Sequence, residues 1–206
     1  MNKKLLTTLL LTITTLSAVA ERLQFKCYTG GMFYHSGHIK SNPFEITNKQ
    51  GEISIHQVKG LTFGLGGKLS FQFGNHLRVG IEGYGSSVTY GPHKSTYSVG
   101  WGGGLTEFFY ETTKVAYFLG ATMGGGSVEN LVVTERQTLG FKTSEILRRQ
   151  YSTIIIAPYY GAEIKLTRRI RFVYKADYLL PVTNKQPDWG RGFRWYVGIN
   201  FRPQTI

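Results

Sequence analysis

The stretch LTFGLGGKLSFQFGNHLRVGIEGYG, residues 61–85, alternates apolar and polar side chains in two runs that are joined by a Gly-Asn-His loop. Its odd positions are mostly apolar, whereas its even positions hold Thr, Lys, Ser, Gln, Arg and Glu. A period of two predicts strands with one apolar face. If Phe73 pairs with Leu77 across the loop, Lys68 falls opposite Glu82 on the polar face. The stretch therefore predicts an antiparallel hairpin in which Lys68 and Glu82 interact.

The first twenty residues have the features of a cleavable export signal. Two lysines precede an apolar run, and the small-residue pattern Ala18-Val19-Ala20 stands just before Glu21. Such a segment is removed from the mature protein, so residues 21–206 are predicted to form a single domain. No later segment offers the ~20 apolar residues of a membrane-spanning helix. The chain has one cysteine, which excludes an intramolecular disulfide.

The composition favours a membrane or polysaccharide partner over nucleic acid. The chain carries 24 Lys and Arg against 12 Asp and Glu, a net charge of +12. Nucleic-acid binding is not expected, because the charges are scattered, no basic helix is indicated and the protein is predicted to be exported. The positive charge instead favours outer-membrane lipid and lipopolysaccharide as partners. Only 17% of the residues are charged, fewer than a water-facing sheet normally carries.

The alternation continues through the rest of the chain and predicts eight strands in all. One apolar set is predicted to lie on the lipid-facing side of the fourth strand: Tyr97, Val99, Trp101, Leu105 and Phe109. Short connections alternate with longer ones, which span residues 40–58, 91–96, 129–150 and 181–191. This layout is typical of an even-stranded outer-membrane barrel with tight periplasmic turns and longer external loops. Alternation alone also fits a soluble, lipocalin-like barrel, but the sparse charge of the polar face favours the membrane.

The fold class predicted is therefore all-β, an eight-stranded antiparallel up-and-down transmembrane barrel. The strand and loop pattern over residues 24–202 resembles the small outer-membrane barrels of the OmpA transmembrane domain and OmpX type, although no family-specific motif is present. The resemblance implies a location in the outer membrane of a Gram-negative-type bacterium. The chain departs from it where residues 202–206 follow the last aromatic strand residue, Phe201. Pro158 and Glu107 also fit poorly and are expected to mark bulges or a register change.

The predicted register places ten charged residues in the lumen, which has room for side chains and little else. These residues are Lys68, Arg78, Glu82, Glu163, Lys165, Arg171, Lys175, Asp177, Arg194 and Arg202. The first interpretation is a structural, charge-paired plug, in which Glu163 lies near Arg171 and Lys175. The second is a narrow anion-selective pore, because seven bases against three acids leave a surplus of four.

Several residues are candidates for other chemistry. Six glycines are assigned to the inward face, where they either allow the barrel to bend or line a cavity for an acyl chain: Gly100, Gly102, Gly104, Gly120, Gly124 and Gly126. His35 and His38 are weak candidates for a metal site, because no carboxylates are placed beside them. A lipid-modifying barrel enzyme would need a Ser, His and acid group, and the sequence shows no His-x-Ser element. No cofactor or catalytic residue is therefore assigned.

The longest external connection, residues 129–150, keeps β-branched residues well beyond the expected membrane span. It is predicted to be a hairpin that extends strands five and six outward. The function predicted is a non-enzymatic, structural or adhesin-like role, with a host or cell-surface ligand bound by this segment. The alternatives are an outer-membrane lipid-modifying enzyme and the narrow anion pore. The protein is expected to be a monomer.

Overall fold

The computed structural model of the protein describes residues 24–47, 51–138 and 141–203, and it describes no side chains between 135 and 143. The predicted export signal, residues 1–20, lies outside the described residues. Within the described part, no helix is long and apolar enough to cross a membrane.

The chain forms eleven strands in the described ranges. They are β1 (Phe25–Lys40), β2 (Phe44–Thr47), β3 (Ile53–His56), β4 (Lys59–Phe73), β5 (Leu77–Tyr90), β6 (Ser95–Glu111), β7 (Val115–Thr138), β8 (Phe141–Lys165), β9 (Ile170–Tyr178), β10 (Leu180–Pro181) and β11 (Phe193–Phe201). Nine of them make one antiparallel sheet in the order β10-β8-β7-β6-β5-β4-β1-β11-β9, and a further β8–β9 pairing closes the ring. A closed ring has no free sheet edge along the barrel wall.

Strands β9 and β10 are two parts of one barrel strand, which gives the eight strands predicted. Asp177 pairs with Tyr159, and Leu180 pairs with Ile156, so both parts keep one register against β8. The break falls opposite Pro158, which has no backbone N–H to donate to the ladder. The bulge expected at Pro158 is therefore wrong. The register between β7 and β8 runs without a shift past this residue, and the interruption lies in its partner strand.

The opening hairpin has the predicted register. Phe73 pairs with Leu77, and Lys68 lies opposite Glu82. Gly74 in the loop has a φ of 57°, a left-handed conformation that glycine adopts without steric cost. The apolar residues of β4 point outward, and Leu61, Leu65 and their neighbours on other strands are among the exposed large hydrophobic residues. The polar residues of the same strands point into the lumen and are buried.

Strand β6 faces the opposite way from the prediction. Tyr97, Trp101 and Phe109 are buried in the lumen, whereas Phe108 and Tyr110 are exposed on the outer surface. Glu107 is fully buried, and the register of β6 with β5 and β7 runs past it without a shift, so the bulge or register change expected there is wrong. Three glycines of β6 consequently lie on the outward-facing side: Gly100, Gly102 and Gly104. The physical reason is that a carboxylate within a membrane strand costs less on the polar, inward side than on the lipid-facing side.

The external end of the barrel is closed by its loops. Strands β2 and β3 form a small hairpin between β1 and β4. Phe44 and Ile46 of this hairpin are buried, and so is Trp189 in the connection between β10 and β11. All three belong to one hydrophobic cluster that continues down into the lumen. The described loops therefore pack over the barrel as a lid.

The first prediction tests which side of the barrel faces lipid. Leu65 lies near the middle of the outward apolar face of β4, and Leu61 lies near its external end. Leu65→Arg is expected to lower the free energy of unfolding by about 2–4 kcal/mol, because it places a charge at the bilayer midplane. Leu61→Arg, the matched control, is expected to cost about 0–1 kcal/mol. Equilibrium unfolding in lipid bilayers measures both values.

The wild-type protein is expected to fold only in detergent or lipid, with heat-modifiable migration on gels, because its apolar outer surface would otherwise contact water. A monodisperse folded protein in detergent-free buffer would contradict the membrane assignment, as would equal effects of the two arginine substitutions.

Candidate functional site

The lumen contains a network of buried ion pairs in its periplasmic half. Arg78 donates to Glu107 Oε1 at 2.8 Å and to the two carboxylate oxygens of Glu163 at 2.8 and 3.0 Å. Lys68 donates to Glu107 Oε2 at 2.8 Å. The side chains of Arg78, Glu107 and Glu163 are 0% exposed, and that of Lys68 is 2% exposed. The fork of the guanidinium thus binds two carboxylates, an arrangement suited to arginine.

This network continues to the periplasmic rim. Arg171 donates to Glu163 at 3.2 Å and to Glu111 at 3.0 Å. Glu111 also forms ion pairs with Lys165 at 2.7 Å and with Arg202 at 3.4 Å. Lys165 and Arg202 therefore lie at the partly exposed rim rather than deep in the lumen. Water can solvate the charges there, so these outer pairs are worth less than the buried ones.

A second ion pair lies nearer the middle of the barrel. Lys175 donates to both oxygens of Glu82, at 2.9 and 2.7 Å. Four aromatic rings surround the Lys175 ammonium at 4.3–5.9 Å from its nitrogen to the ring centroids: Tyr84, Trp101, Tyr159 and Tyr196. Tyr84 and Thr122 donate hydrogen bonds to Glu82. The ammonium is thus held by one carboxylate and by the negative faces of several rings.

The predicted Lys68–Glu82 contact is corrected by this geometry. The two residues are register partners, but Lys68 bonds to Glu107 on β6, and Glu82 bonds to Lys175 on β9. Glu163 is the register partner of Val173, so Arg171 and Lys175 are both its diagonal neighbours, as expected. Of the two, Arg171 bonds to Glu163, whereas Lys175 bonds to Glu82.

The network has two members that were not predicted, Glu107 and Glu111. The charge of Glu107 within a strand was the signal that β6 faces inward.

The outer half of the lumen is filled mainly by aromatic side chains. The His35 ring stacks on Tyr196 at 4.8 Å between centroids, and Tyr84 packs against Tyr196 at 4.9 Å. Asp177 accepts a 2.7 Å hydrogen bond from the Tyr196 hydroxyl. Arg194 is fully buried here, and among the described residues its Nε and Nη1 have no hydrogen-bond partner. The outer half of the lumen is thus packed with aromatic rings, and only a few polar groups lie among them.

The two weak metal candidates point to opposite faces of β1. His35 is buried in the lumen, whereas His38 is exposed on the outer side. Residues three apart on a strand cannot bind one ion together, so this pair is ruled out as a metal site. In the described part of the chain, no group of three His, Cys, Asp or Glu side chains is placed to hold a metal ion. On the small hairpin of β2 and β3, burial and the neighbouring His93 lower the pKa of His56.

Only three of the six glycines assigned to the inward face lie there. Gly120, Gly124 and Gly126 lie on the inward face of β7, but the three glycines of β6 face outward. An added Cβ at Gly120 would lie 2.7 Å from the Tyr159 ring. This glycine therefore makes room for a ring that crosses the lumen.

Comparisons with known proteins identify the fold and no closer relationship. No protein-family model matches the chain, and no curated protein matches it. The solved structures include the Neisserial surface protein A, which is 12% identical, with 84% of this chain and 96% of that chain covered and a TM-score of 0.53. They also include Ail, the attachment invasion locus protein of Yersinia pestis, in complex with the heparin analogue sucrose octasulfate. That chain is 11% identical, with 86% and 99% covered and a TM-score of 0.50.

These likenesses show that the chain has the fold of the small eight-stranded outer-membrane barrels. Both neighbours are outer-membrane proteins of Gram-negative bacteria. The apolar outer band of this chain is the surface that such a location requires. The predicted fold class is confirmed.

The second prediction tests whether Glu82 interacts with Lys175, which its side chain contacts, more strongly than with Lys68, its register partner on β4. Glu82→Gln is expected to lower the free energy of unfolding by about 3–5 kcal/mol, because it leaves the Lys175 ammonium unpaired in the lumen. Adding Lys175→Met should recover part of that loss, giving a coupling of about 1–3 kcal/mol in the double-mutant cycle.

The matched cycle pairs Glu82→Gln with Lys68→Met and should show a smaller coupling, because those side chains are register partners without a direct bond. Unfolding in detergent or bilayers measures both cycles. A larger coupling for Lys68 than for Lys175 would contradict the observed pairing.

Proposed function

We propose that the protein is a non-enzymatic outer-membrane barrel that anchors an external hairpin for binding at the cell surface. The observation that carries this proposal is the length of β7 and β8. The pairing between β6 and β7 ends at Thr96 and Leu131, whereas β7 and β8 continue together to Thr138 and Phe141. Seven further residue pairs, 132–138 with 141–147, thus extend beyond the neighbouring strand. At about 3.4 Å per residue, this is roughly 24 Å of paired strand.

The base of the hairpin is fixed to the barrel. Val132 is fully buried in the core cluster, and Leu147 packs against that cluster. Asp188 of the lid accepts a hydrogen bond from Asn130 at 3.1 Å and pairs with Arg149 at 3.3 Å. These contacts join both strands to the lid and hold the hairpin in a defined orientation. A rigid base lowers the entropy that a binding surface loses when it meets a partner.

The hairpin has two open edges above this base. Among the described residues, no third strand pairs with β7 beyond Leu131 or with β8 before Ile155. Unpaired backbone groups on such edges can accept an added strand from a partner, the recognition mode called β-augmentation. We therefore propose an extended polypeptide segment as the partner.

Charge offers a weaker argument for a polysaccharide partner. Residues 129–150 hold four bases and three acids. Two of those bases are already engaged: Arg148 pairs with Glu129 at 2.7 Å, and Arg149 pairs with Asp188. The sulfated ligand of Ail makes sucrose octasulfate a useful competitor. The small net charge of this hairpin predicts little competition.

The dense lumen supports the anchor role over the alternative of a pore. A continuous water path past Lys68 and Arg78 would leave their side chains accessible, yet they are 2% and 0% exposed. Eight of the ten predicted lumen charges, all except Asp177 and Arg194, form ion pairs that, in this proposal, hold the barrel closed. For the enzyme alternative, the observed lumen supplies no Ser-His-acid contact among the hydrogen bonds of the described residues.

The third prediction removes the upper hairpin. Residues 134–145 are replaced by Asn-Gly, which joins Val133 to Ile146 through a two-residue turn. Folding and heat-modifiable migration should persist, because Val132, Leu147 and the contacts of Asp188 remain. Adherence of bacteria that express the protein to cultured epithelial cells should be lost, because the open edges are gone.

Arg148→Gln is the matched control, since it changes charge and leaves the edges intact; adherence should be retained, with or without sucrose octasulfate. Unchanged adherence of the shortened protein would contradict the proposal. Loss of adherence in Arg148→Gln, or its abolition by sucrose octasulfate, would replace the strand-addition mode with polyanion binding.

A further inference from the structure

Three basic residues stand side by side on the outward face at the external end of the barrel. Lys40 on β1 is the register partner of Lys59 on β4. On its other side, Lys40 forms a bridge with Arg191, whose N–H and C=O exchange hydrogen bonds with Lys40 at 3.0 and 2.8 Å. All three residues are exposed. We call Lys59, Lys40 and Arg191 the basic triad.

Directly opposite residues of antiparallel strands project to the same face, with Cα atoms about 4.5–5.5 Å apart. The triad therefore places three positive charges in one row. Among the described residues, none of these three side chains has an ion pair or hydrogen bond to an acidic group. Like charges directly opposite each other destabilise a sheet. An external anion bound beside the row would offset that repulsion.

The position of the triad determines what kind of anion reaches it. On the outward face of β4, Leu61 lies one step closer to the apolar band than Lys59. At the start of β11, Phe193 likewise lies one step closer to that band than Arg191. One outward step along a tilted strand is about 5 Å of height. The triad therefore lies just above the apolar band, at the level of the lipid headgroups, and it faces sideways toward lipid.

An aromatic platform lies below the Arg191 end of the triad and continues onto β9. Phe193 packs against Tyr178 at 5.2 Å and stacks on Trp195 at 6.5 Å, and Trp195 stacks on Tyr174 at 5.8 Å between ring centroids. All four rings are on the outward face of β9 and β11. Amphipathic rings at this height are typical of a membrane interface, where they contact the upper acyl chains and headgroups.

We propose that the basic triad binds the phosphate groups of an outer-leaflet glycolipid, lipopolysaccharide, with the aromatic platform against its acyl chains. A phosphate has several acceptor oxygens and a charge that offsets the repulsion within the row. The lipid is favoured over a soluble polyanion because the triad faces the bilayer and continues into an aromatic, lipid-facing surface. This site is separate from the β7–β8 hairpin, so either proposal can fail without the other.

The test measures binding of lipid A to the full chain in phosphatidylcholine bilayers. The triad variant carries Lys40→Gln, Lys59→Gln and Arg191→Gln. The matched control carries Lys114→Gln, Arg168→Gln and Arg169→Gln, which remove the same charge from exposed positions at the periplasmic end. Heat-modifiable migration verifies that each variant folds, and the single variant Lys59→Gln gives a milder change.

Each base near the headgroups strengthens lipid binding by about tenfold or less. The triad variant, which lacks three bases, is therefore expected to bind lipid A on the order of a hundredfold more weakly than the wild type. The control should bind like the wild type, and enzymatic removal of the lipid A phosphates should weaken the wild type to the level of the triad variant. An equal loss in the control, or tight binding of dephosphorylated lipid A, would overturn the proposal. Triad-dependent binding of sucrose octasulfate that matches or exceeds that of lipid A would overturn it in favour of a soluble polyanion.

Discussion

The structure depends on the need to pair charged groups in a lumen that is closed to water. Arg78 lies between Glu107 and Glu163, and the side chains of all three are 0% exposed. Removing one member would leave an uncompensated buried charge, which costs several kcal/mol. This requirement fixes more than the network itself. Because Glu107 must point inward, Phe108 and Tyr110 must face the membrane, and the small residues of β6 form part of the outer surface.

The sequence was sufficient to predict most of the fold. Alternation located the strands, the short connections located the periplasmic turns, and Phe73 with Leu77 set the register of the first hairpin, as observed. It failed for β6 because both faces of that strand are plausible by hydropathy. Tyr97 and Trp101 made the odd face look lipid-facing, but aromatic rings also fill the lumen of a small barrel. A count of apolar residues misassigned the strand, whereas its single charge indicated the correct face.

Most members of the ion-pair network were predicted, apart from Glu107 and Glu111, but most of its pairs were not. Residue parity placed Lys68, Glu82 and Lys175 in the lumen, because direction alternates strictly along a strand. Partner choice follows from the tilt of strands around a closed barrel, which brings side chains from non-adjacent strands together. Glu82 on β5 and Lys175 on β9 meet across the lumen, and no hairpin register contains that information. The same limit hid the basic triad, since Arg191 lies far from Lys40 in sequence.

Both binding surfaces proposed above lie outside the lumen. The two surfaces singled out above are separated by the order of strands in the ring. The triad belongs to β4, β1 and the segment leading into β11, whereas the hairpin belongs to β7 and β8, on the other side of the barrel. A glycolipid held beside β1 would therefore leave the open edges of the hairpin accessible. Because the hairpin base is fixed by Asp188 of the lid and the triad by the backbone bridge of Lys40, each surface is positioned by its own contacts, and the paired lumen holds both in one rigid frame.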